Sequence, residues 1–530
     1  MRCGLLYTKW HSLLLFSLLL FLLPLVQSCK EEPNLDELKS RIDALETELE
    51  KRKNDTIFIE TIDSIGPQLL SFGFYAEDNP LQLVMDASGR IANDGQITVR
   101  VSNILPSYEL RPSMCFYGDS VTIDGVRADS TDRAFDFSKV MPLVVHHGLT
   151  EKVYQVHVIS YTGLPIVWIE TENRAAIMSR TDYMKASFLL DADNISLSVN
   201  IRGHGNSSWD APKKPYRLLF DENVSVLGLP TDKSWLLLAN YYDKTMLRNA
   251  TAFYLSSLSN LEYTPRWGFV ELILNGSYSG TYQLVEKLKI SQDRINLTEG
   301  GYLLEVDAKY AEGDSIFYTP HLIHPVNIKE PDNLSPEDVN YIKTFVNQAD
   351  AVLFSSYYQD AENGWMKYMD IESFVDWYLV NEIAKNTDGA LFSSCFMTLE
   401  HGGKLKMGPV WDFDIAFGNV DYNTNCSPTG LWMIRATWYT QLFRDPRFVE
   451  KVKERYKVFY SHKDDIMRFI NANAEYLHYS VRENEKRWGV LYAYTWPNYD
   501  IWGAYQNEVQ HLKEWLNTRM EWLNAEFDSM

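Results

Sequence analysis

Trp411-Asp412-Phe413-Asp414 sets two carboxylates two residues apart inside the apolar stretch KLKMGPVWDFDIAFGN, which runs from Lys404 to Asn419. On a strand, side chains alternate between faces, so Asp412 and Asp414 would share one face. Like charges beside bulky apolar groups repel and resist desolvation. A divalent cation held by oxygen ligands offsets that cost. A salt bridge to Lys404 or Lys406 is the alternative. A second candidate is NEIAKNTDGALFSS, Asn381 to Ser394, where a helix gives way to an Asp388-Gly389 turn. A carboxylate there could take a proton from an attacking hydroxyl. A third is RGHGNSSWDAPKKPYRLLFD, Arg202 to Asp221. Glycines flank His204, and Asn206 and Ser207 follow in a turn whose backbone N–H groups can cradle a phosphate. Lys213, Lys214 and Arg217 lie just beyond it, as cations suited to a nucleotide's phosphates.

Each stretch taken singly also fits an ordinary hairpin or Asp-Gly turn. Their order carries more information. The Gly-rich loop opens onto a strand with lysines, then a helix, DKTMLRNATAFYLSSLSN, with Asp243 as its expected N-cap. A hairpin turn at NGSYSG follows, and then a helical region with a Ser-x-x-Asp cap at Ser335. The Asp388 turn precedes Asp412 by 24 residues. This is the order of working parts in a protein kinase: phosphate loop, strand lysine, helix, hinge, catalytic loop, metal aspartate.

The stretches IRGHGNSSWDAPKKPYRLLFD, GTYQLVEKLKISQDRINL, GGYLLEVD and GPVWDFDIAFGN closely resemble the spore-coat protein H (CotH) kinase-like family, over roughly Pro165 to Phe527. The resemblance implies an atypical protein-kinase fold and ATP- and Mg²⁺- or Mn²⁺-dependent phosphorylation of proteins. It implies that Asp388 is the catalytic aspartate, that Asp412 binds metal, and that Asp414 completes the pair. Lys214, with Lys213 as rival, would be the strand lysine, and Glu286 and Lys287 would fall at the hinge that holds adenine. The chain departs from the kinase pattern in two places. Ser393 stands where a catalytic loop carries a metal-binding Asn, and the helix after the lysines has no glutamate.

Two or three domains fit a chain of 530 residues, 45% of them hydrophobic. A net charge of -21 argues against sequence-independent nucleic-acid binding. Residues 1–28 carry Arg2 and Lys9 ahead of an apolar run and read as a lipoprotein signal peptide, with Cys29 as the lipidated residue. KEE after Cys29 resembles the export signal of Bacteroidetes surface lipoproteins. Residues 29–56 read as a helical stalk; Leu38, Ile42, Leu45 and Leu49 form a heptad seam within 34–53. That seam suits a weakly self-associating stalk or a single helical spacer. Residues 57–165 read as an immunoglobulin-like β-sandwich, and 166–528 as an α+β kinase-like domain with a β-rich N-lobe and a helical C-lobe. The expectation is a lipid-anchored, extracytoplasmic kinase acting on a protein hydroxyl. The alternatives are a kinase-like surface adhesin or glycan-binding lipoprotein with weak or no catalysis, and a metal-dependent transferase with another acceptor.

Overall fold

A computed structural model describes residues 66–83, 85–102, 107–129, 133–191 and 195–530; the leader, Cys29 and the stalk lie outside them. The chain divides into two compact units, 1–158 and 159–530.

In the first unit, Met141, Leu143 and Val145 alternate with more exposed neighbours along Met141–His147 and point into the core. The main sheet is one continuous eight-stranded sheet running from Ser113–Tyr117 at one edge to Val126–Arg127 at the other. It curls round a core that includes Phe72, Phe74, Ile97, Val121 and Val156. Tyr117 meets His147 with ring centroids 5.3 Å apart, so the sheet turns back on itself. The β-rich character expected of this segment is present, and the strand Ala87–Ile91 pairs with Gln68–Phe74 through one half and with Gln96–Val101 through the other.

The second unit opens with seven strands that close into a barrel, in the order Ile166–Thr171, Met184–Leu190, Ile195–Gly203, Tyr216–Val224, Asp232–Leu238, Ser277–Glu286 and Trp267–Leu274. Closure removes the edge strands, and the last pairing, of Ile166–Thr171 with Trp267–Leu274, is parallel. Phe188, Val199, Ile201, Leu218, Phe220 and Trp235 fill the interior. The same alternation turns Arg202 and Arg217 to the outer wall, where they face each other in register across neighbouring strands.

A five-stranded sheet follows, with Tyr302–Val306 at its centre between Val326–Glu330 and Cys395–Leu399. Helices pack around it. Pro336–Leu353 begins with the Ser335/Asp338 capping box that the sequence signals. Ile371–Ala384 is buried on nearly every side and ends at Lys385, which adopts a left-handed conformation with φ 46°. The Lys385 ammonium then caps the carbonyls of Thr424, Ser427 and Thr429 at 3.1, 2.9 and 2.6 Å. This fixes the chain that leads into Asp388.

The C-terminal helix Tyr505–Ser529 locks the lobe through Arg519, which is fully buried against Glu382. Glu382 also accepts the N–H groups of Trp432 and Met433 at 2.8 and 2.7 Å. Replacing Arg519 with Leu strands that carboxylate in the core and lowers unfolding stability by about 3–5 kcal/mol, read by denaturant titration.

Candidate functional site

A cleft of about 1030 Å³ is lined by the outer wall of the barrel, the five-stranded sheet and the loops of the helical lobe. Three distant segments meet in it: the loop after Arg202, the Asp388 turn, and the Asp412–Asp414 stretch.

The loop is shaped by its glycines. A Cβ on Gly203 would lie 2.4 Å from the Trp209 ring, and Gly205 has φ +80° with Ser208 Oγ where a side chain would go. Asn206, Ser207 and Ser208 reach the cleft, and so do Arg202 and Arg217. Both guanidinium groups approach the ring of Tyr183, at 5.0 and 5.9 Å. Their Nε atoms and the Tyr183 hydroxyl are buried with no hydrogen-bond partner. Two like charges held side by side with unused donors are the features an anion site needs. The field is strong enough to act on His204, whose pKa is pushed down to about 3 by burial, then by Arg217, Arg202 and Lys287.

Lys213 and Lys214 do not reach the cleft. Lys213 is buried, donates to Asn484 Oδ1 at 2.9 Å and to the Thr281 carbonyl, and lies over the Tyr282 ring. Burial, opposed by Glu271, lowers its pKa to about 7. Lys214 donates to the Trp209 carbonyl at 2.5 Å and crosses that ring. The lysines therefore brace the loop and the barrel, while arginines supply the positive wall. The hinge pair splits as well. Glu286 is fully buried against Arg266 at 3.0 Å and accepts the Tyr263 hydroxyl at 2.8 Å. Lys287 lines the cleft with Glu330 2.9 Å away. Leu288, Leu303 and Phe396 beside it form an apolar slot.

On the opposite wall the expected strand stops early. Only Lys406–Met407 pairs with its neighbour, and Asp412 sits in the left-handed region with φ +67°. Asp412 and Asp414 both line the cleft because the chain turns there, not because a strand alternates. Lys406 is committed to Glu262, so it does not neutralise them. Asp412 is open to the cleft yet deep within it. Desolvation there, followed by the charge of Asp388, raises its pKa to about 6. Asp414 is raised well above the usual carboxylate range by burial, then by Asp412, Asp243 and Asp388. Ser393 donates to Asp307 Oδ1 at 2.8 Å, and it is Ser394 that donates to Asp412, at 3.3 Å.

The helix Arg248–Ser257 starts later than its sequence suggested, and Asp243 reaches it from five residues upstream by accepting the Arg248 N–H at 2.8 Å. It carries no glutamate into the cleft. Instead Asn249 Oδ1 accepts the Phe413 N–H at 2.8 Å, and Arg248 Nε donates to the Ala416 carbonyl at 3.1 Å. These two bonds hold the aspartate turn. Asn249→Leu leaves the Phe413 N–H unpaired, which costs about 1–3 kcal/mol of stability by denaturant titration and loosens Asp412.

Sequence reasoning missed Glu305, Asp307, Lys309 and Ser394, all on the cleft wall. Glu305 and Asp307 were in view within GGYLLEVD, but strand alternation there does not reveal which acid faces a ligand. The Asp412 and Asp414 carboxylates and the Ser394 hydroxyl are oxygen ligands, which suit a hard divalent cation. Among the described residues, no three His, Cys, Asp or Glu side chains converge enough to hold a metal ion by themselves. Mg²⁺-type sites use one or two carboxylates and share the ion with substrate phosphates.

A barrel lobe and a helical lobe enclosing a cleft with arginines on one wall and aspartates on the other define a two-lobed protein. The chain belongs to the CotH kinase protein family, whose sequence model matches residues 201–523. A comparison with curated proteins finds no match. A solved Bacteroides thetaiotaomicron structure, described provisionally as a glycoside hydrolase, is similar at 13% identity over 52% of this chain and 86% of that one, with a TM-score of 0.17. So distant a likeness carries no functional argument.

Proposed function

We propose that the protein transfers the γ-phosphoryl group of ATP to a protein hydroxyl with the help of Mg²⁺ or Mn²⁺. The observation that carries this reading is the meeting of Asp388, Asp412 and Asp414 with Arg202, Arg217 and the Gly203–Ser208 loop in one cleft. Leu288, Leu303 and Phe396 offer the apolar slot for the base, beside Lys287. Arg202 and Arg217 bind phosphate oxygens through donors that nothing else uses. Asp412, with Asp414 behind it, would hold the cation, which when bound neutralises charge on the phosphates. Asp388 accepts the acceptor's proton.

The test is transfer of label from ATP in Mn²⁺ to a protein panel, with calorimetry of ATP binding alongside. Chelation of the cation should abolish transfer. Transfer that persists in both Asp388→Ala and Asp412→Ala would sink the assignment. A second reading, nucleotide binding without turnover, draws on Ser393 being turned to Asp307, away from any ligand of Asp412. ATP binding with no transfer in any metal would favour it. We further propose that Cys29 is lipidated and carries the body on its helical stalk outside the cytoplasm. Metabolic labelling with palmitate should be lost in Cys29→Ala.

A further inference from the structure

The acidic wall of the cleft is not balanced by the cationic wall. Among the described cleft residues, Lys287 is committed to Glu330 at 2.9 Å and Lys329 to Glu305 at 3.3 Å. Arg202 and Arg217 lie on the Tyr183 ring, and Arg435 on the Trp432 ring. Lys309 is the cation that reaches the aspartates, with Nζ 3.1 Å from Asp388 Oδ2. Its charge also favours ionisation of Asp412 and Asp414. No motif announces it: Lys309 precedes Asp388 by 79 residues.

Its backbone is fixed and its side chain is not enclosed. The Lys309 N–H donates to Asp307 Oδ1 at 2.8 Å, and the same oxygen accepts the Ser393 hydroxyl. The neighbouring Ala308 N–H donates to the Phe392 carbonyl at 2.7 Å. The segment is thus tied to the Asp388 loop on both sides, while the side chain crosses the Phe392 ring and stays 40% exposed. A long, partly exposed ammonium on a pinned backbone can change partners without a change of fold.

We propose that Lys309 is the stand-in cation of the aspartate cluster. Paired with Asp388, its ammonium opposes entry of a divalent cation at the neighbouring Asp412, and once the cation is bound there it leaves Asp388 free and pairs with the phosphoryl oxygens of the donor. This rests on the phosphotransfer reading. In that reaction the acceptor oxygen bonds to the γ-phosphorus as the bond to the β–γ bridging oxygen breaks. ADP leaves with the electron pair, and Asp388 takes the acceptor's proton. Lys309 therefore acts in opposite directions on two measurable quantities: it weakens metal binding to the nucleotide-free protein and it speeds transfer.

The experiment is Mn²⁺ titration of the nucleotide-free full chain, followed by electron paramagnetic resonance of unbound Mn²⁺, together with steady-state kinetics in ATP. Lys309→Met should bind Mn²⁺ about tenfold more tightly, yet turn over about 10²-fold more slowly. Lys309→Arg should recover much of the rate, because the charge is kept. Unchanged or weaker Mn²⁺ binding in Lys309→Met, with Lys309→Arg matching the wild type and both variants folded by circular dichroism, would overturn the proposal. If the wild type transfers no phosphate at all, the phosphotransfer reading fails, and tighter Mn²⁺ binding in Lys309→Met still upholds the stand-in role.

Discussion

Asp412→Asn is expected to abolish phosphoryl transfer while making the protein more stable. Asn tolerates the left-handed conformation that Asp412 adopts, with φ +67°, so the turn keeps its shape. What disappears is a charge that the cleft desolvates and Asp388 repels. The sign follows from linkage. The folded pKa of Asp412, about 6, lies above the ordinary aspartate value of 3.8, so the native state binds the extra proton and its stability falls as pH rises through that interval. In Asp412→Asn this decline is missing, and the melting temperature at pH 7 rises above that of the wild type. Turnover should drop about 10²–10⁴-fold in Asp388→Asn, the range for losing a positioned general base, and at least as far in Asp412→Asn. Thermal melts across pH and label transfer together check the result. A melting temperature that falls in Asp412→Asn would contradict the account of its charge. Stability gained where activity is lost is the expected mark of a functional site.

The second large effect is on the opposite wall. Arg202→Gln with Arg217→Gln should weaken ATP binding about 10²-fold or more, since each hydrogen bond to a charged group contributes about 1.5–3 kcal/mol. The barrel itself should not suffer. The two guanidinium groups repel each other across the strand pair, and their Nε atoms have no protein partner. Calorimetry of ATP binding and a thermal melt therefore separate a ligand site from a structural one. If the double variant melts earlier and binds ATP normally, the pair belongs to the fold and not to the nucleotide.

These two walls were unequally legible. Arg202 and Arg217 were legible as cations flanking the Gly-rich loop, each within an apolar strand pattern, and the strand register then puts them on one face. Lys213 and Lys214 sit in the Pro-bounded link ahead of the strand, where no periodicity says which way a side chain turns. Only the packing of the helix His478–Trp488 against the barrel, with Asn484 bonded to Lys213, decides that this lysine is a brace. The hinge pair shows the same limit. Glu286 and Lys287 are adjacent, and a one-residue step sends one to the core and the other to the cleft.

What the sequence determined by itself was the family and the two-part β-then-helical order of the main body, and it put forward as candidates the aspartates at 388, 412 and 414. Those are properties of motifs, periodicity and chain order, and each is written in neighbouring residues. The tertiary structure alone decided that Asp412 and Asp414 are aimed by a turn, that Asn249 holds that turn, and that Lys309 meets Asp388 from 79 residues away. Electrostatic partners are chosen by distance in space, and a separation of 79 residues along the chain leaves no local signal of a 3.1 Å contact.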